Sequence, residues 1–135
     1  MKKEIIKAKV VIIEKGKVLL LKRIDREKRL SFAGGIVKSN ESHKEGLIRE
    51  IKEELGVKVS KQDLEYIFSF KKKKAKVKIT TRYYRLKTTN KKFKINEPNK
   101  FNLLKWFNIK YAISNVTKKQ GFILKQQLNL HKNAS

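Results

Sequence analysis

The segment that most constrains this chain is GGIVKSNESHKEGLIREIKEELGV, residues 34–57. Ser42 and Glu45 stand at the spacing of a capping box, S-x-x-E, with Ser42 as N-cap, and Gly56 occupies the place where a helix ends in left-handed backbone. Between them Leu47, Ile48, Ile51 and Leu55 recur at helical spacing and predict a core-facing stripe. At 100° per residue, Glu50, Glu53 and Glu54 share one flank beside that stripe. Five of the chain's 12 acidic residues fall in this segment, although the formal net charge is +24. Carboxylates at i, i+3 and i+4 repel by a few tenths of a kcal/mol per pair. Two of them also lie near the helix C-terminus, where the macrodipole disfavours negative charge. A solvated acidic face is the plain alternative, but a hard divalent cation reverses the balance: Mg²⁺ is held by a few carboxylates together with waters and substrate phosphates. Gly46 costs a helix interior about 1 kcal/mol relative to alanine. Close approach of a loop or ligand accounts for it, as does simple tolerance.

The rest of the chain predicts strands around this helix. Glu4 to Glu14 and Lys17 to Lys22, broken by KGK, read as two strands of a hairpin. RIDREKR is a charged loop, and LSFAGGIV a short strand interrupted by its paired glycines. Beyond the helix, LEYIFSF and KVKITTRYYRLKTT read as strands with KKKK at the turn between them, a solvated hairpin tip. NKKFKINEPNK is a polar loop, FNLLKWFNI a strand and TKKQGFILKQQLNLHK a C-terminal helix. No repeat, linker or second domain is visible, so residues 1–135 are expected to form a single α/β layered domain with a mixed sheet.

Composition excludes several classes. With no cysteine among 135 residues there is no disulfide framework and no thiolate metal site. The N-terminal apolar run is interrupted by Lys7, Lys9, Glu14, Lys15 and Lys17, which argues against a signal peptide or membrane span. A cytoplasmic protein is expected. The 36 basic residues invite a nucleic-acid reading, yet 30 are lysine and six arginine. That bias, with abundant Asn and Ile, fits the residue usage of an AT-rich genome better than a dedicated nucleic-acid surface. Either origin draws polyanions such as nucleoside triphosphates.

The helix segment resembles the signature of the Nudix hydrolases, G-x(5)-E-x(7)-R-E-U-x-E-E-x-G-U with U aliphatic. Gly35, Glu41, Arg49, Glu50, Ile51, Glu53, Glu54, Gly56 and Val57 fill it in order. KVLLLKR before it and NEPNKFNLLKWF after it also resemble the flanks of MutT-like members, so the likeness runs over about residues 4–130. It implies an α/β/α sandwich with a central mixed sheet and hydrolysis of a nucleoside diphosphate linked to another group, with Mg²⁺ or Mn²⁺. By similarity, Glu53 and Glu54 are expected as metal ligands with the backbone carbonyl of Gly34. Glu50 is expected as a ligand or as the group that activates water, Arg49 as the residue holding the glutamates, and Glu41 as completing the site. Divalent ions neutralise polyphosphate, acidify water and orient in-line attack, so no Ser or Cys nucleophile is required.

After Glu65 the only acidic residue is Glu97, which the likeness makes an auxiliary ligand or general base; an ordinary turn residue before Pro98 is the other reading. Two positions depart from the MutT-like pattern. Ala33 replaces a proline, which should loosen the loop, and Lys38 replaces a glutamate, which places a cation where phosphate could be met. Arg23 resembles a phosphate-contacting arginine and Asn115 a base-contacting asparagine, while Gly34 and Gly35 shape the substrate loop. Phe32, Phe70, Tyr83 and Trp106 are expected to pack in the core rather than stack on a base. His43, at the helix start, is expected to be exposed and is given no role. The expected activity is cleavage of normal or modified nucleoside triphosphates to a monophosphate and pyrophosphate, by a monomer or homodimer. The alternatives are removal of pyrophosphate or a cap from RNA 5′ ends, with RNA as partner, and a non-catalytic nucleotide sensor.

Overall fold

Alternating charged and apolar residues give the first strand two different faces. The fold is that of a computed structural model in which residues 3–25, 29–88 and 90–134 are described, the last four by backbone alone. Strand β1 (Lys3–Val11) buries Ala8 and Val10 on one face and turns Lys7 and Lys9 to the other. It is paired on both edges, antiparallel with β5 (Ala33–Ile36) and parallel with β7 (Val77–Leu86). With β6 (Leu64–Lys74) outside β7, the order β5-β1-β7-β6 makes a mixed sheet.

The long hairpin expected at the N-terminus does not form. Only β2 (Ile13–Glu14) pairs with the start of β3 (Lys17–Arg23), across a turn in which Lys15 and Gly16 both have positive φ. The reason is that both edges of β1 are taken by β5 and β7; β3, with Val18, Leu19, Leu20 and Leu21 all buried, is a strand covered on both faces. That strand lies at the centre of a second, antiparallel sheet, between β4 (Leu30–Ser31) and β8 (Phe101–Asn108). The break in LSFAGGIV falls at Phe32, so Gly34 and Gly35 lie inside β5. Ala33 is likewise no loop residue but the buried first residue of β5, paired with Val10. Lys71 to Lys74 belong to β6, and the turn falls at Ala75 and Lys76. Residues 26–28 of the charged loop, and Thr89 at the end of KVKITTRYYRLKTT, lie outside the described residues.

Helix α1 (His43–Leu55) has the caps its sequence predicts. The Glu45 N–H donates to Ser42 Oγ at 3.1 Å, the Ser42 N–H donates to Glu45 Oε1 at 2.8 Å, and Gly56 closes the helix at φ 69°. Leu47, Ile51 and Leu55 pack with Ala8, Val10, Leu19, Leu21 and Tyr84 in one core cluster. The opposite faces of the two sheets supply Val11, Val18, Leu20 and Tyr83 to a second cluster. There they meet α2 (Ile109–Ile113) and α3 (Lys118–Ala134). The result is an α/β/α sandwich. The short helix α2 is not apparent from the strand-like run before it; Asn108 ends that strand by accepting the Lys110 N–H on its side chain at 2.9 Å.

Candidate active site

The carboxylate flank of α1 lies against β5, and glycines make the approach possible. Gly34 has φ 138°, and a Cβ there would collide with the Ala8 carbonyl oxygen. Its N–H donates to Glu54 Oε1 at 2.8 Å. A Cβ on Gly35 would stand 2.7 Å from Glu50 Cδ, so the bare backbone lets that carboxylate settle on the strand. Gly46 serves the same end, since a Cβ there would lie 3.0 Å from Val37 and 3.2 Å from Glu41 Oε1. A close loop, rather than mere tolerance, therefore accounts for the helix-interior glycine.

Arg49 ties the acidic residues together. Its guanidinium donates to both oxygens of Glu41, at 2.7 and 3.1 Å, to Glu50 Oε1 at 2.9 Å and to the Ile36 carbonyl at 3.0 Å. Glu53 Oε2 lies 3.3 Å away on a half-exposed side chain. This planar fork holds Glu41 well below the usual carboxylate range, at about 2, with a further bond from the Lys38 N–H. Glu54 is the opposite case. It is 6% exposed, and burial pushes its carboxyl up to about 7 against the Gly34 hydrogen bond and the Lys9 charge, with Glu50 and Glu97 adding to the rise. Lys9 faces the same pocket from β1, in register with Gly34, and its ammonium is pushed below the ordinary lysine value chiefly by burial.

Glu97 reaches this region by way of the loop before β8. The Lys94 and Asn96 N–H groups donate to the Leu55 and Glu54 carbonyls, each at 3.0 Å, and the Asn96 side chain donates to the Lys52 and Glu53 carbonyls. The loop thereby satisfies the open carbonyls at the end of α1. Glu97 follows directly, 3.2 Å from the Lys100 ammonium and close enough to Glu54 to raise its pKa.

A cleft of about 740 Å³ opens from the carboxylates between the first sheet and α3. Gly34, Gly35, Glu50 and Glu54 line one end, with Lys7, Lys9, Arg23 and Lys100 around it. Ser31, Thr81, Tyr83, Thr117 and Gln120 make a polar wall opposite. Arg23 pairs with Asp25 at 3.0 Å and lies over the Phe101 ring at 5.8 Å. Of the expected site residues, Arg49, Glu53 and Glu97 adjoin the carboxylates without lining the cleft, and Lys38 and Asn115 do not line it either. The Lys38 side chain is exposed, and Asn115 donates its side-chain amide to the Tyr111 carbonyl at 2.8 Å, inside its own turn. Gln120, which the sequence reading passed over, is buried at 6% exposure, donates to Ser31 Oγ at 3.2 Å, and has no hydrogen-bond partner for Oε1 among the described residues. The Tyr83 hydroxyl stands beside the same amide. Lys9 and Asn96 also escaped the sequence reading; the charged residue breaking an apolar run was the only signal for the first. Phe32 and Tyr83 are core residues in edge-to-face contact, and Trp106 packs with Phe93 against the α1-side core. Phe70 is half-buried in contact with Phe68 and Phe122. His43 is half-buried rather than exposed.

Among the described residues no three acidic or histidine side chains already converge as a closed metal cage, because Glu50 and Glu53 turn to Arg49. The donor set nevertheless fits a hard divalent ion. The expected donors, carboxylates and the Gly34 carbonyl, are all oxygens; Glu54 is held by the backbone with only one oxygen hydrogen-bonded among the described residues, and Glu50 shares its cleft.

The model of the NUDIX domain family matches residues 5–126, so the chain belongs to the Nudix family. A search of curated proteins gave no match. Among solved structures, the Escherichia coli ORF135 protein superposes with a TM-score of 0.79 at 23% identity, over 96% of this chain and 92% of that one. The MutT protein from Methanosarcina mazei Go1 gives 0.78 at 20% identity, over 97% of each chain. The Escherichia coli dihydroneopterin triphosphate pyrophosphohydrolase gives 0.70 at 19% identity, over 90% and 92%. Nudix hydrolases generally use divalent metals. No helix among the described residues is long and apolar enough to cross a membrane.

Proposed function

We propose that the chain hydrolyses nucleoside triphosphates, normal or modified, to a nucleoside monophosphate and pyrophosphate, using Mg²⁺ or Mn²⁺. The observation that carries this reading is the cleft itself, which sets Glu50 and Glu54 on bare glycine backbone and rings them with lysine and arginine. Glu50, Glu53, Glu54 and the Gly34 carbonyl would hold the ion. When bound, the ion neutralises the polyphosphate and acidifies the attacking water.

The chain's own groups supply the remainder. Arg49 holds Glu50 and Glu53 beside Glu41 and leaves Glu50 Oε2 outside its hydrogen bonds. Glu97, anchored through Asn96 to the end of α1, accepts a proton from water. Arg23, Lys7, Lys9 and Lys100 receive the phosphates. Gln120 and Tyr83, in place of Asn115, face the nucleoside. Lys38 contributes its backbone N–H to Glu41 rather than a cation to the substrate.

The test is incubation of purified protein and Mg²⁺ or Mn²⁺ with a panel of normal, oxidised and methylated nucleoside triphosphates. Equal amounts of monophosphate and pyrophosphate are expected. Diphosphate with inorganic phosphate, or no turnover on any member, overturns the proposal.

A further inference from the structure

The face of the mixed sheet that floors the cleft does not end where the cleft ends. Lys7 on β1, Thr81 on β7 and Lys72 on β6 all line the cleft. Two residues further along each of the first two strands come Ile5 and Ile79, paired in register, with Lys72 opposite Ile79. The next row on the same face is Lys3, Val77 and Lys74. Ile5, Val77 and Ile79 are half-buried and belong to neither core cluster. At the edge of this face Ile36 is 54% exposed. The four residues from Lys7 to Lys3 extend the floor by ~13 Å.

This strip has an apolar floor and cationic rims. Lys3, Lys72 and Lys74 are exposed on either side of it. No Asp or Glu occurs between Glu65 and Glu97, so the β6–β7 ribbon past Glu65 carries no carboxylate. Glu4, the nearest acid on β1, lies on the alternate face. With Ile5, Val77 and Ile79 half-buried, the floor offers a flat lipid surface few protruding apolar groups. It suits a flexible polyanion whose bases lie on the floor and whose phosphates reach the rims.

We propose that this open face docks single-stranded RNA, with the strand leaving a 5′ end held in the cleft. RNA is favoured over DNA because transcription starts with an intact triphosphate and so leaves 5′-triphosphate ends. The choice of RNA and the position of the 5′ end rest on the hydrolytic reading of the cleft; the docking of a flexible single strand on this face does not. The path rests on these positions and not on the basic surplus of the chain as a whole.

The experiment measures fluorescence anisotropy of a 5′-hydroxyl oligoribonucleotide labelled at its 3′ end, in EDTA at near-physiological salt. Lys3→Glu/Lys74→Glu is compared with Lys58→Glu/Lys125→Glu, an equal charge change at exposed lysines elsewhere. The first pair should weaken binding about tenfold or more and the second by about threefold at most. Equal losses in the two pairs overturn the proposal. Loss of binding to phosphatidylserine vesicles with RNA binding unchanged also overturns it, in favour of a membrane. In a parallel assay, Lys3→Glu/Lys74→Glu should lower kcat/KM on 5′-triphosphorylated RNA and leave nucleoside triphosphate turnover unchanged. If wild type hydrolyses neither substrate yet shows the expected anisotropy difference, docking is upheld and the hydrolytic reading fails.

Discussion

Glu54 makes the metal-free protein less stable as the pH rises, by an amount the structure sets. Its carboxyl is held at about 7, against 4.5 for the ordinary group, chiefly by burial. Between those values the unfolded chain has released this proton and the folded chain retains it. The folded state binds more protons, and stability falls with rising pH through the window. The 2.5-unit difference corresponds to about 3 kcal/mol, fully lost above pH 7. Glu54→Gln keeps an oxygen for the Gly34 N–H and removes the titration. In EDTA the variant and wild type should therefore differ little in unfolding free energy at pH 4.5. By pH 8 the variant should be the more stable by up to about 3 kcal/mol. Urea denaturation at several pH values measures the difference, and subtracting the two proteins cancels contributions common to both, such as that of His43. A difference that does not change with pH refutes the reasoning.

Three further outcomes follow from the site. Arg49→Lys replaces a fork that reaches Glu41, Glu50 and Glu53 with a point charge; kcat/KM on the best nucleotide should fall about 10- to 100-fold with the far-ultraviolet spectrum retained. Gly34→Ala drives a methyl into the Ala8 carbonyl at a backbone angle only glycine accepts readily, and should cost about 1–3 kcal/mol or more in denaturant titrations. Gln120→Leu removes the buried amide on the wall facing the nucleoside; relative kcat/KM among bases should change about tenfold, and an unchanged ranking contradicts the role given to Gln120.

What could be read from the sequence was the local chemistry. Ser42, Glu45 and Gly56 specify the ends of α1 through bonds spanning three or four residues, and the helix appears where they place it. The carboxylate flank was legible for the same reason. The strand partners were not. KGK is a true turn signal, but only two residue pairs extend from it, because β1 gives one edge to β5 and the other to a parallel strand about 75 residues away in sequence. Lys9 therefore looked like an interruption in an apolar run, and only its register with Gly34 brings it beside Glu54. Asn96 escaped notice because the open carbonyls of a helix C-terminus leave no mark on the partner that satisfies them. Asn115 and Gln120 show the same limit in reverse. Both are amides near the start of α3, and the direction of the chain there turns one onto its own backbone and buries the other in the cleft wall.

The central claim is that the carboxylates gathered at β5 hold a divalent ion. Titrating Mn²⁺ into the protein and following free Mn²⁺ by electron paramagnetic resonance tests it without reference to any substrate. Wild type should deplete the free signal saturably, and Glu54→Gln should bind at least about tenfold more weakly. Superimposable titrations of the two proteins would contradict the account.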